Sequence, residues 1–251
     1  MTLKVLAVIP ARFASTRFPG KPLALIKSKT MLQRVYEQAK KATAVNQIII
    51  ATDHDDIANH ARQFGAEVMM TRQDHASGTD RIAEVVSRLT TTFDVIVNIQ
   101  GDEPFIQPKQ INQLAEVFSD NSIDIDTMIK PVSGMQEYES PDVVKVVIAE
   151  NGNALYFSRW PIPFFRKEKD EKKICDTAYK HLGMYAYRTS IIKKIAILPV
   201  SVLEEAEQLE QLRWLQNGYT IRTIVTDTET IAVDTPADLI KAENYLERKT
   251  N

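Results

Sequence analysis

Short β-branched runs alternate with amphipathic stretches through the first hundred residues, and this alternation constrains the fold more than any other feature. Such a rhythm is the pattern of parallel strands joined by crossover helices. Strands are predicted at residues 4–9, 47–51, 67–70 and 95–99. Between them, residues 31–41 put Leu32, Val35, Tyr36 and Ala39 on one helical face, and residues 55–64 form a second helix stopped by Gly65. Another helix is expected after Pro108. The pattern then changes, with strands at 127–132, 143–149, 154–158 and 181–187 and no regular helices between them, a mixed extension of the sheet. Residues 166–173 read as a charged, solvated loop, and residues 201–216 as one core-facing helix through Leu203, Ala206, Leu209 and Leu212, closed by Gly218. A strand at 219–225 follows, and Thr235 and Pro236 suit the N-cap and first position of a last helix.

A chain of 251 residues with 44% hydrophobic content suffices for one large domain, here 1–251 with residues 127–200 as its extension. Net charge of −2 gives no general attraction for nucleic acid, so any polyanion must meet a local cluster of cations. The single cysteine, Cys175, excludes an internal disulfide and fits a reducing, cytoplasmic setting. The apolar run at residues 5–10 is too short to span a bilayer, so no membrane insertion is expected.

Four stretches carry chemistry. The loop after the first strand supplies Arg12, Arg17 and Lys21, where ligands collect beyond the carboxyl ends of parallel strands; three cations there suit a nucleoside triphosphate. Ser15 stands where a Walker loop begins with glycine, Pro22 follows Lys21, and none of the eight glycines makes a Gly-x-Gly pair, so P-loop and dinucleotide readings fail. The run 97–104 ends an apolar strand in Gly101, Asp102 and Glu103. Asp102 is placed to bridge magnesium and phosphate or to form a turn, and Glu103 to help it or to turn the chain. Asp234 is a third acid, explained equally by helix-capping chemistry. Residues 74–81 open a helix capped by Ser77 or Thr79, whose amides and Arg81 could meet an oxygen-rich ligand.

Taken together, IPARFASTRFPGKPL, ATDHDDI, DHASGTDR and VNIQGDEP resemble the 3-deoxy-manno-octulosonate (Kdo) cytidylyltransferases. VVKVV, ALYFSRWPIP, KHLGMYAYR, LEEAEQLEQLRWL and VDTPADL continue the likeness nearly to the end. The resemblance implies an α/β, three-layer nucleotidyltransferase fold with a mostly parallel mixed sheet and a smaller sheet extension. It implies transfer of CMP from CTP to Kdo with release of pyrophosphate, for lipopolysaccharide synthesis, by a homodimer. It carries Ala11, Arg12, Lys21, Ser77, Gly78 and Arg81 onto CTP, with Arg17 as a further phosphate ligand, and names Lys21, Asp102 and Asp234 as catalytic. Asp102 and Asp234 would hold Mg2+, and Gln100, Arg159, His181, Tyr185 and Glu210 would surround the sugar acid, Arg159 facing its carboxylate. The lead into VDTP departs from the family's glycine-bearing form, with Ala232 in the place of a freer residue. A close analogue such as 8-amino-Kdo, a sialic acid, or a non-catalytic nucleotide-binding module are the competing readings.

Overall fold

The computed structural model describes residues 3–14, 18–167, 170–229 and 231–250. The chain divides into two compact units, Met1–Glu116 with Glu229–Asn251, and Val117–Thr228. The 127–200 stretch lies within the second.

In the first unit four strands run parallel: β1 (Val5–Ala11), β4 (Gln47–Thr52), β5 (Glu67–Met70) and β6 (Val95–Asn98), in the order β6-β1-β4-β5. A two-residue hairpin, β2 (Leu25–Ile26) and β3 (Lys29–Thr30), stands apart from that ladder and was not foreseen. Leu6, Ala7, Val8 and Ile9 are wholly buried, as a strand covered on both faces requires. Each such large aliphatic contributes roughly 1.5–3 kcal/mol by leaving water.

Helices α1 (Met31–Ala39), α2 (Asp55–Gln63), α3 (Gly78–Arg88) and α4 (Pro108–Glu116) follow the strands as expected. In α1 the buried side chains include the predicted Leu32, Val35, Tyr36 and Ala39, and Thr30 caps its start by accepting from the Gln33 amide. Gly65, at φ 80°, takes the left-handed turn after α2. The C-terminal helix, Pro236–Thr250, brings Ala242 into a cluster with Ile26, Met31, Phe105 and Val233. It thereby ties the chain's end to the hairpin and to the segment after β6.

The second unit is a mixed sheet. Strand β7 (Ile125–Pro131) runs parallel to β11 (Ile221–Val225) and antiparallel to β10 (Tyr179–Arg188). Strand β8 (Lys145–Ile148) pairs antiparallel with both β10 and β9 (Ala154–Ser158). Short helices α5 (Met135–Glu139), α6 (Glu171–Thr177) and α7 (Thr189–Ile195) punctuate these strands.

Two expectations are corrected here. The charged stretch 166–173 is not loop throughout: Asp170 caps α6 by accepting from the Lys172 amide, and Ile174 supplies its buried anchor. The segment 201–216 is two helices, α8 (Val202–Glu207) and α9 (Gln211–Gln216), because Gln208 turns left-handed at φ 54°. Leu209 and Leu212 face the core, but no residue of α8 is buried. Arg213 of α9 reaches back to Glu204 of α8 at 2.7 and 2.8 Å, holding the two together across the break.

Candidate active site

Parallel strands that end side by side leave a crevice at their carboxyl ends. The first unit has a cavity of about 340 Å³ there, lined by Pro10 and Ala11 at the end of β1 and Arg12 just after it, Ser77, Gly78 and Arg81 at the start of α3, and Gln100, Gly101 and Asp102 after β6. Lys21, His75 and Asp234 complete the wall. The basic loop and both acids singled out in the sequence therefore meet in one place.

Lys21 opens a turn of 3-10 helix headed by Gly20 at φ 69°. Its Nζ lies 2.7 Å from Asp102 Oδ2 and 3.0 Å from Asp234 Oδ1. Burial of the ammonium works against its charge, but the pull of Asp102 and then Asp234 outweighs it and leaves the pKa above the ordinary lysine value. Two carboxylates thus converge on one cationic point. Backbone structure supports the convergence, for the Val233 amide donates to the Asp102 carbonyl at 2.9 Å.

Asp234 does not cap the last helix. Thr235 does: its hydroxyl accepts from the Asp238 amide at 3.3 Å, while the Asp238 carboxylate accepts from the Thr235 amide at 3.1 Å. This reciprocal cap leaves the Asp234 side chain turned to Lys21.

Gly101 is where backbone approaches backbone. A Cβ there would stand 2.8 Å from the Pro10 carbonyl oxygen, closer than side chains pack. The glycine lets the end of β6 lie against the end of β1, bringing Asp102 to the loop that carries Lys21. Glu103, beside it, is buried, and burial, with the charge of Asp102 adding, pushes its carboxyl up to about 8. Its amide donates to the Gln100 carbonyl at 3.3 Å, the geometry of the turn reading.

At the start of α3, Ser77 is the cap. Its hydroxyl accepts from the Asp80 amide and its own amide donates to Asp80, each at 3.1 Å, as one of the two caps read from the sequence. Arg81 is also committed within the unit. It is buried, pairs with Asp53 at 2.8 Å and donates to the Thr71 hydroxyl. Asp53 belongs to the ATDHDDI stretch, and its role as the partner of Arg81 was not foreseen. His75 was likewise missed; its Nε2 meets Glu84 at 2.5 Å. Arg12 is exposed at the cavity wall, and Arg17 lies outside the described residues.

The sugar-side candidates other than Gln100 belong to the second unit. His181 and Tyr185 of β10 have ring centroids 5.3 Å apart, and Tyr185 meets Trp214 edge-on at 5.1 Å. Burial lowers His181 to about 3, keeping the imidazole neutral. The Glu210 carboxylate lies 3.6 Å from Arg213. Arg159 is not presented as an open fork: its Nε donates to the Glu207 carbonyl at 2.8 Å, and its terminal nitrogens donate to Pro141 and Gln208 carbonyls at 3.2 and 3.4 Å.

Comparison with known proteins bears on this arrangement. A family model described as Cytidylyltransferase matches residues 6–224. The chain is 49% identical to the 3-deoxy-manno-octulosonate cytidylyltransferase of Bacteroides thetaiotaomicron, covering 99% of this chain and 100% of that one. It is 48% identical to the protein of the same name from Parabacteroides distasonis, over 97% and 98% of the two chains. The solved CMP:2-keto-3-deoxy-manno-octonic acid synthetase in complex with CTP superposes with a TM-score of 0.90 at 40% identity, covering 98% of this chain and 99% of that one.

Proposed function

The chain belongs to the cytidylyltransferase family, among its 3-deoxy-manno-octulosonate cytidylyltransferases, and from that premise we propose how its own residues carry the reaction. The enzyme transfers CMP from CTP to the sugar acid Kdo and releases pyrophosphate. The observation that carries the assignment of parts is the convergence of Asp102 and Asp234 on the Lys21 ammonium, at the wall of the cavity behind the basic loop.

The anomeric hydroxyl of Kdo attacks the α-phosphorus of CTP in line. The new bond joins that oxygen to phosphorus and its proton passes to solvent water; the bond to the oxygen bridging the α- and β-phosphates breaks, and its electron pair leaves with pyrophosphate. Arg12 and Lys21 neutralise the triphosphate, Arg17 being a further candidate of the same loop, and Ser77, Gly78 and Arg81 frame the nucleotide. Within the second unit, Arg159, His181, Tyr185 and Glu210 are the residues assigned to orient the sugar acid. Positioning and charge neutralisation suffice, and no side-chain general base is required.

Magnesium fits the donor set. Asp102 and Asp234 offer hard carboxylate oxygens that already grip one positive charge, and they would hold the ion. Among the described residues no group of three or more His, Cys, Asp or Glu side chains gathers as a metal site, so phosphate oxygens and water would fill the remaining positions. Bound there, the ion would screen the triphosphate and acidify the attacking hydroxyl.

The product's use in lipopolysaccharide synthesis, a cytoplasmic location and a homodimeric assembly are parts of the same proposal. Among the described residues no helix is long and apolar enough to cross a membrane. Pyrophosphate release with CTP, magnesium and a panel of Kdo, 8-amino-Kdo and sialic acid tests the acceptor, and dependence on Kdo is the expected result.

A further inference from the structure

Strand β10 is irregular where it carries His181 and Tyr185. Its register against β7 pairs Leu182 with Met128 and then jumps to Tyr185 with Thr127, leaving Gly183 and Met184 as a bulge. Residues four apart on a regular strand stand about 13 Å from each other. Here the rings of His181 and Tyr185 are brought to 5.3 Å between centroids. A bulge re-aims side chains at the expense of ladder bonds, and the carbonyls it turns aside need donors.

Thr127, wholly buried on β7, answers that need. Its Oγ1 lies 2.7 Å from the Met184 carbonyl oxygen, 3.4 Å from that of Leu182 and 2.9 Å from His181 Nε2. A hydroxyl has one proton to give, and a carbonyl can only accept. The Thr127 proton therefore goes to the nearer carbonyl, Met184, and toward His181 the hydroxyl has only a lone pair to offer. The ring must donate from Nε2, and as a neutral imidazole carries a single N–H, Nδ1 is left as the acceptor. No other hydrogen bond involves the ring among the described residues, and His181 is only half-buried.

We propose that Thr127 is a positioning residue that locks His181 in the Nε2–H tautomer, so that Nδ1 is presented as a hydrogen-bond acceptor for a hydroxyl of the sugar acid. The second clause rests on the placement of His181 beside the sugar acid under the proposed function; the first stands on the geometry of the second unit alone. Thr127 would thus act on acceptor recognition through another side chain, without touching the substrate.

The test pairs a spectroscopic signature with a kinetic split, using histidine-15N-labelled full-length enzyme. In the free wild type, His181 should show a pyrrole-type Nε2 and a pyridine-type Nδ1. Thr127→Val, close in shape but without the acceptor, should mix or reverse those shifts. It should raise the KM for Kdo roughly tenfold, the scale of one lost hydrogen bond, and leave the KM for CTP unchanged. Thr127→Ser should restore both. A pyridine-type Nε2 in the wild type, or ring shifts unmoved in Thr127→Val, overturns the tautomer lock. Shifts that move as expected with an unaltered KM for Kdo overturn the presentation of Nδ1 to the sugar, and with it the placing of His181 at that substrate. Should Thr127→Val fail to fold, the wild-type spectrum and Thr127→Ser still decide the tautomer.

Discussion

The backbone amide of Val233 donates to the backbone carbonyl of Asp102 at 2.9 Å. Through that bond the start of the VDTP segment is fastened to the end of β6, and Asp234 is set opposite Asp102 with Lys21 between them. The approach of the two acids is thus built into the backbone and does not depend on the ammonium alone.

Asp234→Asn separates a metal role from a structural one. The last helix keeps its cap, because Thr235 and Asp238 supply it, so the melting temperature should hardly move. Turnover should fall by roughly a hundredfold and be partly restored by excess magnesium, since a weakened site can be refilled by concentration. Turnover against magnesium concentration, for wild type and variant, is the measurement; superimposable curves would leave Asp234 without a catalytic part.

Lys21→Ala removes an ammonium that pairs with both carboxylates. Without magnesium the variant should lose about 1–3 kcal/mol of stability, the cost of leaving part-buried charges facing each other. Magnesium should return much of that loss, whereas the KM for CTP should stay raised. Thermal melts with and without the ion, beside CTP kinetics, check both arms.

Gly101→Ala would place a methyl 2.8 Å from the Pro10 carbonyl oxygen, a backbone atom that cannot swing away. The ends of β1 and β6 should part slightly, costing about 1–3 kcal/mol, as overpacked sites do. Turnover should fall more than stability, because Asp102 is carried on the displaced segment. Chemical unfolding and steady-state kinetics on the same preparation report the two effects.

His181 makes stability depend on acid. Burial lowers its folded pKa from the ordinary 6.5 to about 3, so between those values the unfolded chain binds a proton that the folded chain refuses. Its contribution is complete above pH 6.5 and is lost progressively as the pH falls toward 3. The loss from this group between pH 7 and pH 5 should be roughly 1–2 kcal/mol. Urea unfolding at the two values, for wild type and His181→Asn, should show a flatter dependence in the variant.

Much of the architecture was legible because local pattern and tertiary demand agree. The runs that became β1, β4 and β6 are rich in β-branched residues, and the face of α1 was readable from its spacing. The helix expected over 201–216 was not single, because apolar spacing continues unbroken through Gln208 while its backbone turns left-handed. Asp102 could be picked out as an acid ending an apolar strand. For Asp234 the sequence offered both a metal role and part of a capped helix start; Thr235, the cap candidate, holds that post, and Asp234 faces Lys21. Arg81 offered a free cation to sequence reading, but Asp53, on a different segment, was waiting for it. Long-range pairs of this kind leave no local trace.

This chain joins CMP to Kdo, and under the proposed function Asp102 and Asp234 would hold the metal at that site. Pyrophosphate release, followed with CTP, magnesium and Kdo for the wild type and for Asp102→Asn, tests it most directly. Release by the wild type should require all three components, and a folded Asp102→Asn should lose more than roughly a hundredfold. Near-normal release by folded Asp102→Asn at saturating magnesium, or wild-type release that does not depend on Kdo, would contradict it.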